Sequence, residues 1–357
     1  MRNKRYIYIL LLVTLIGCGK STPQNATQMV ETKSSIAGDY GAVLPFKSSD
    51  ARQKHKTAAR SLQDTMHIGT GLLELSKQHF SSKEYVFQEG QFLDYDLLDA
   101  SDFTTGFLGR TSDTNPIGMN PARDSEFDSG NGILTHPIIL QDIYEIDFLK
   151  SGEVKGVSLA IVLNPNHDKI TITDEKLFEF GTQIATRIIE HMRTLENVGA
   201  DLPIFVTLYK NASSDDALPG SFFAQALYKG NEATFSKINE QWVLFKSSRA
   251  MALDALTSQQ FQAVSDAIHN FLVDDVQMIG IGKYHDDVLV DFKLSVSIHA
   301  KTGTEATALV QYLHSLIETY FTTLDYRLRV EVNMGDHVIA LMERIKGSSD
   351  INVIMFI

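Results

Sequence analysis

Cys18 is the one thiol in the chain, and it follows directly on Gly17 at the end of a short apolar run. That combination has the shape of a lipoprotein processing site, in which the sulfur takes up lipid and the chain is cut in front of it. Arg2, Lys4 and Arg5 precede the run with no acid among them, and Tyr6 to Ile16 are almost entirely apolar. This is the charge and hydropathy order of a secretory signal. Eleven residues are too few to cross a bilayer, which needs about 20 as a helix, so the segment is expected to start export and then be removed.

Leu15-Ile16-Gly17-Cys18 resembles the lipobox of bacterial lipoproteins, where signal peptidase II cuts before a diacylglyceryl-modified cysteine. The resemblance implies cleavage between Gly17 and Cys18, prolipoprotein-processing enzymes as partners, and a body anchored on the outer face of the cytoplasmic membrane. Each buried methylene contributes about 0.8 kcal/mol, so one acyl chain holds a protein marginally and two hold it firmly.

Other residues of chemical interest match their motifs only in part. Asp124-Ser125-Glu126-Phe127-Asp128 spaces three carboxylates like the start of a calcium loop, but Ser129 and Thr135 stand where the required glycine and bidentate glutamate belong. A solvated acidic loop is expected there. Gly280-Ile281-Gly282-Lys283 lacks the spacer and the following hydroxyl of a phosphate loop, which leaves a strand or bulge. His285-Asp286-Asp287 reads as the turn into the next strand, with no second histidine at ligand spacing. His67, His79 and His136 have acid–base chemistry available, but no catalytic signature accompanies them. No metal or cofactor is expected, and no enzymatic activity.

The net charge is −12, and loss of residues 1–17 removes three positive charges and no negative ones, giving −15. So acidic a surface has no attraction for phosphate backbones, which argues against nucleic acid as a partner. Once Cys18 is acylated no thiol remains for disulfides or zinc.

Length predicts about two folded units. The expected division is a signal peptide at 1–17, a polar tether at 18–40, and α+β domains at 41–250 and 251–357, with the first ordered feature at Val43-Leu44-Pro45-Phe46. A helical period runs from Thr57 to Phe80, weakened at Gly69 and Gly71. Residues 94–132, rich in Gly, Asn, Asp, Ser and Pro, read as a long surface loop region. Strands are expected at 157–163, 204–209, 222–228 and 242–245, with a helix from about Asp174. A second helix is expected to open at the pair Thr257 and Gln260.

Val288 to Ala300 alternates strictly, placing Asp291 and His299 on a wet face. Thr302 and Glu305 then form a capping box, and strands at 326–333, 337–345 and 353–357 close the chain. The fold class is therefore α+β: antiparallel or mixed sheets with helices packed on one face, in two halves that each read strand, helix, strand, strand.

Five segments, in this order, carry a resemblance to the CamS sex pheromone lipoproteins of Gram-positive bacteria, the staphylococcal cAM373-type precursors. They are Val43-Leu44-Pro45-Phe46-Lys47, Phe87-Gln88-Glu89-Gly90-Gln91-Phe92-Leu93, Asn115-Pro116-Ile117-Gly118-Met119-Asn120-Pro121, Leu218-Pro219-Gly220-Ser221 and Ile238-Asn239-Glu240-Gln241-Trp242-Val243-Leu244-Phe245. The resemblance implies that the discarded leader is the source of a secreted peptide, sensed by a receptor in recipient cells during plasmid conjugation. Here that peptide would be Leu11-Leu12-Val13-Thr14-Leu15-Ile16-Gly17. The alternative reading is an extracellular module that binds an envelope ligand through the region 94–132 and the wet sheet face around Asp291 and His299.

Overall fold

The computed structural model describes residues 29–33, 38–54, 62–98, 105–167, 169–212, 218–271, 276–299 and 302–356. The first part of the chain forms β1 (Val30–Glu31), β2 (Gly41–Leu44), α1 (Asp50–Lys54), α2 (Leu62–Ser76), β3 (Val86–Glu89) and α3 (Tyr95–Leu98). There follow β4 (Glu126–Asp128), β5 (Ile133–Thr135), β6 (Leu140–Lys150), β7 (Glu153–Leu163), β8 (Asn166–His167), β9 (Ile170–Thr171), α4 (Asp174–Met192), β10 (Ile204–Lys210), β11 (Ser221–Tyr228) and β12 (Ser236–Lys237). The rest is β13 (Glu240–Leu244), α5 (Ser248–Leu253), α6 (Ala255–Phe271), β14 (Gln277–His285), β15 (Val288–Ile298), α7 (Gly303–Tyr320), β16 (Arg327–Met334), β17 (His337–Arg344) and β18 (Asn352–Met355).

The larger sheet has the order β1-β2-β3-β6-β7-β10-β11-β12, and the second has β13-β14-β15-β16-β17-β18. The fold is α+β, and the repeat of strand, helix, strand, strand recurs in the pairing. β7 and β10 are parallel across α4, with β11 antiparallel to β10. β15 and β16 are parallel across α7, with β17 antiparallel to β16.

What differs between the halves is how many faces are covered. Along β7, Leu159, Ile161 and Leu163 join the core under α4, while Ala160 and Val162 join the core under α2. A strand buried on both faces reads as an unbroken apolar run, as Leu159 to Leu163 does. In the second sheet α6 and α7 share one core with the inward residues Phe292, Leu294, Val296 and Ile298. Its other face is open.

Several elements depart from the sequence reading. Strand pairing begins at Val30, inside the stretch 18–40 read as a tether, because Thr32 exchanges hydrogen bonds with Ala42 across to β2. The second core takes in β13 and α5, so the change of sheet falls at Ile238–Glu240, ahead of the expected boundary at 250. α6 opens earlier than Thr257: the Asp254 carboxylate accepts from Thr257 N at 2.9 Å and acts as the cap. By contrast Thr302 caps α7 as its sequence pattern predicts, accepting from Glu305 N.

α2 does not break at its glycines. A Cβ on Gly71 would meet the buried Phe222 ring at 2.4 Å, so the glycine lets the helix lie close on the sheet. Gly71→Ala gains about 1 kcal/mol of helix propensity but overpacks a filled core, which costs about 1–3 kcal/mol. A net loss of stability in urea denaturation is expected.

Candidate binding surface on the second sheet

The open face of the second sheet is built by the outward residues of β14 to β18. Cross-strand register aligns Ile281, Lys293, Arg329, Glu343 and Asn352 in one row. The next row is Ile279, Ser295, Glu331, Leu341 and Ile354. A groove of about 290 Å³ lies over these rows, with Lys293, Arg327, Arg329, Glu331, Leu341 and Ile354 in its lining.

The charges in the groove pair with one another. Arg329 donates to both oxygens of Asp291 at 2.9 and 3.0 Å, and Arg327 Nε donates to Glu343 at 2.6 Å. Lys293 lies 3.4 Å from Glu331, whose other support is a 2.9 Å bond from Asn333. The Asn333 bond, with the Lys293 charge, outweighs burial and holds the Glu331 carboxyl below its usual range. The cations and carboxylates of these rows balance in pairs, while Ile279, Leu341 and Ile354 leave apolar surface beside them. β18 is an edge strand with its outer backbone groups open, the geometry on which an extended segment can add.

Asp291 and His299 belong to this half as the alternation predicts, with Asp291 engaged by Arg329. The described part of the region 94–132 belongs to the other half, and around Phe107 to Asn120 it is largely buried rather than a surface loop. Phe107, Leu108 and Met119 are buried in the core under α4, and Asn115 and Asn120 turn inward to satisfy the loop's backbone. Its turn formers are interleaved with large apolar residues, and that is what lets it bury. The structure does not bring the two parts of the expected ligand surface together in one half.

The expected lipidation residue Cys18, the expected cleavage pair Gly17 and Cys18, and the expected peptide Leu11-Leu12-Val13-Thr14-Leu15-Ile16-Gly17 lie outside the described residues. Asp128 ends β4, where it accepts from Gly130 N at 2.9 Å and sits 3.5 Å from Lys176. Among the described residues no group of three or more histidines, cysteines or acids is gathered to hold a metal ion. Gly280 to Lys283 lie within β14, where a Cβ on Gly280 would meet Phe261 of α6 at 2.7 Å; these glycines serve packing. Asp286 and Asp287 make the expected turn, with φ of 50° and 61°.

His79 packs on Phe205, and His136 bonds the Arg123 carbonyl. His67 is held 2.8 Å from Glu240, which also receives Lys283 at 2.8 Å and Phe222 N at 3.2 Å. This junction between the halves was not legible as a cluster, because His67 lies 173 residues before Glu240 in the chain. The one available signal was the segment Ile238 to Phe245, which contains Glu240.

The family model of the CamS sex pheromone cAM373 precursor matches residues 46–350. The chain belongs to this family. Among solved structures it is similar to the sex pheromone precursor from Lactobacillus salivarius subsp. salivarius UCC118, with a TM-score of 0.79 and 23% identity over 92% of this chain and 99% of that one. It is also similar to the C-terminal domain of the sex pheromone staph-cAM373 precursor from Staphylococcus aureus, with a TM-score of 0.68 and 23% identity over 83% of this chain and 98% of that one. At that identity the likeness shows a shared fold. No curated protein matches the chain. CamS is a pheromone precursor family and not a known enzyme family.

Proposed function

We propose that this CamS protein is made as a prolipoprotein, cut between Gly17 and Cys18, and held on the outer face of the cytoplasmic membrane by a diacylglyceryl group on Cys18. The supporting observation is the family match over 46–350, joined to a single cysteine that follows a small residue and an eleven-residue apolar run. Twelve residue steps separate Cys18 from β1, which at about 3.5 Å each limit the reach from membrane to body to about 40 Å.

The released leader supplies the peptide Leu11 to Gly17, which acts as a conjugation pheromone on a receptor in the recipient cell. Its uncharged side chains suit passage through lipid and an apolar groove. The body is a non-enzymatic module, and the open face of the second sheet is its surface for an envelope ligand. Its ion-paired rows and exposed edge favour that reading over catalysis, since the carboxylates Asp291, Glu331 and Glu343 are each engaged by a cation.

Cys18→Ala, or inhibition of signal peptidase II with globomycin, is expected to leave an unprocessed, slower-migrating form and to deplete the mature protein from the membrane fraction. Unchanged mobility and partition would reject the anchor. A synthetic Leu11 to Gly17 peptide should induce clumping or plasmid transfer in responder cells; failure at every concentration would reject the pheromone role alone.

A further inference from the structure

On the first sheet, away from the surface proposed above, two carboxyl groups are buried side by side with no cation beside them. Glu145 and Asp147 project from one face of β6, two residues apart. Glu145 accepts from Phe92 N at 3.0 Å and Leu93 N at 2.8 Å. Asp147 Oδ2 accepts from Gln88 Nε2 at 3.1 Å and Gln91 N at 3.2 Å. The chain can pass this close only because residue 90 is glycine: a Cβ there would sit 2.3 Å from the Glu145 side chain. Asp147 is fully buried, and its second oxygen, Oδ1, receives no donor.

Asp147 also lines a groove of about 590 Å³, together with Gln88, Phe92, Val154, Leu195 and the exposed Glu196. The lining contains no lysine or arginine. Glu153 on the rim is tied to Lys155 at 2.6 Å. The site thus offers a groove with apolar walls at Phe92, Val154 and Leu195 and an acidic rim, leading to a carboxyl pair with no cation beside it. We propose that this groove binds an alkylammonium group, such as a lysine side chain or a small diamine, with the methylene stem against Phe92, Val154 and Leu195 and the ammonium on the Asp147 carboxyl.

The Gln88 carboxamide is the gate. It turns aside from Asp147 Oδ2, and its own carbonyl then accepts from the ammonium. In the empty site burial, and next the neighbouring Glu145 charge, push the Asp147 carboxyl well above its ordinary range, so the pair shares a proton. Entry of the ammonium replaces that proton, which leaves to solvent. The groups facing the pair are Gln88 and the backbone donors of 91–93; Glu153 and Glu196 on the rim add only negative charge, and Lys155 is engaged by Glu153.

Calorimetric titration of the intact lipid-free body with cadaverine is the test, run beside the uncharged analogue pentanol. Saturable binding of cadaverine alone is expected, with a heat that changes with the ionisation enthalpy of the buffer because a proton is released. Asp147→Asn, nearly isosteric, should weaken it by about tenfold or more, the worth of a hydrogen bond to a charged group. If Asp147→Asn does not fold, Glu196→Lys on the exposed rim decides, and it should weaken binding several-fold while leaving the fold intact. Absence of saturable binding, equal binding of pentanol, or wild-type affinity in whichever of the two variants folds would overturn the proposal.

Discussion

Asn120→Ala is expected to lower the stability of the first half by about 4 kcal/mol, since each buried backbone group left unpaired costs about 1–3 kcal/mol. The wild-type side chain is fully buried and satisfies four such groups. It donates to the carbonyls of Leu108 and Leu140 at 2.8 and 2.9 Å, and accepts from the amides of Ile139 and Leu140 at 2.8 Å each. Water entering the vacated space recovers part of the loss. Because domains of this kind are stable by only about 5–15 kcal/mol, the variant should unfold at a much lower urea concentration. A loss below about 1 kcal/mol would mean that the loop is not pinned to β6 through this residue.

Glu240→Ala is expected to cost about 3 kcal/mol, the scale of removing one member of a buried ion pair. The substitution strips an anion from His67, Lys283 and the Phe222 amide at once, at the junction of the two sheets. Burial alone would raise the Glu240 carboxyl, but the His67 bond and the Lys283 charge together outweigh it and hold it below its usual value. The sign of the pH effect follows. The carboxylate's contribution is complete above the ordinary glutamate value of about 4.3 and is lost as pH falls through the lower folded value. Wild type and Glu240→Gln should therefore converge in stability on acidification below about pH 4.3. Trp242, the only tryptophan, stacks edge-on against His67 with centroids 5.0 Å apart, and its fluorescence reports the transition. A difference that persists unchanged into acid would contradict this account.

Elements whose buried faces follow a single period were legible in the sequence. β15 alternates from Phe292 to Ile298, although a bulge beside Tyr284 breaks the pattern earlier and leaves Val288 exposed, and α4 and α7 carry their apolar stripes, with Thr302 capping α7. β6 was not legible, although it is the central partner of β3 and β7. It holds the buried Asp142 and Asp147 and the half-buried Glu145, and a strand with three acids has the composition of a surface segment. Only the partners explain it: Arg52 grips Asp142 with two bonds of 2.7 and 2.6 Å, and the backbone of 91–93 holds the other two. Those partners lie 50 to 90 residues away, beyond any local pattern.

Four of the five segments that carry the family resemblance have physical work in common. Gly90 lets the chain pass Glu145, Asn120 ties the buried loop to β6, and Glu240 links the sheets. In Leu218 to Ser221, Gly220 N donates to the buried Asp64 at 2.7 Å, beside the Tyr209 hydroxyl at 2.6 Å. Each is a place where backbone or a buried polar group admits few alternatives. They therefore specify the fold of the body and do not bear on the leader.

The proposed membrane anchor depends on Cys18. Mass spectrometry of the protein recovered from membranes should find Cys18 as the first residue, carrying the mass of a diacylglyceryl group, with residues 1–17 gone. An intact leader, or an unmodified Cys18 thiol on protein recovered from the growth medium, would contradict it.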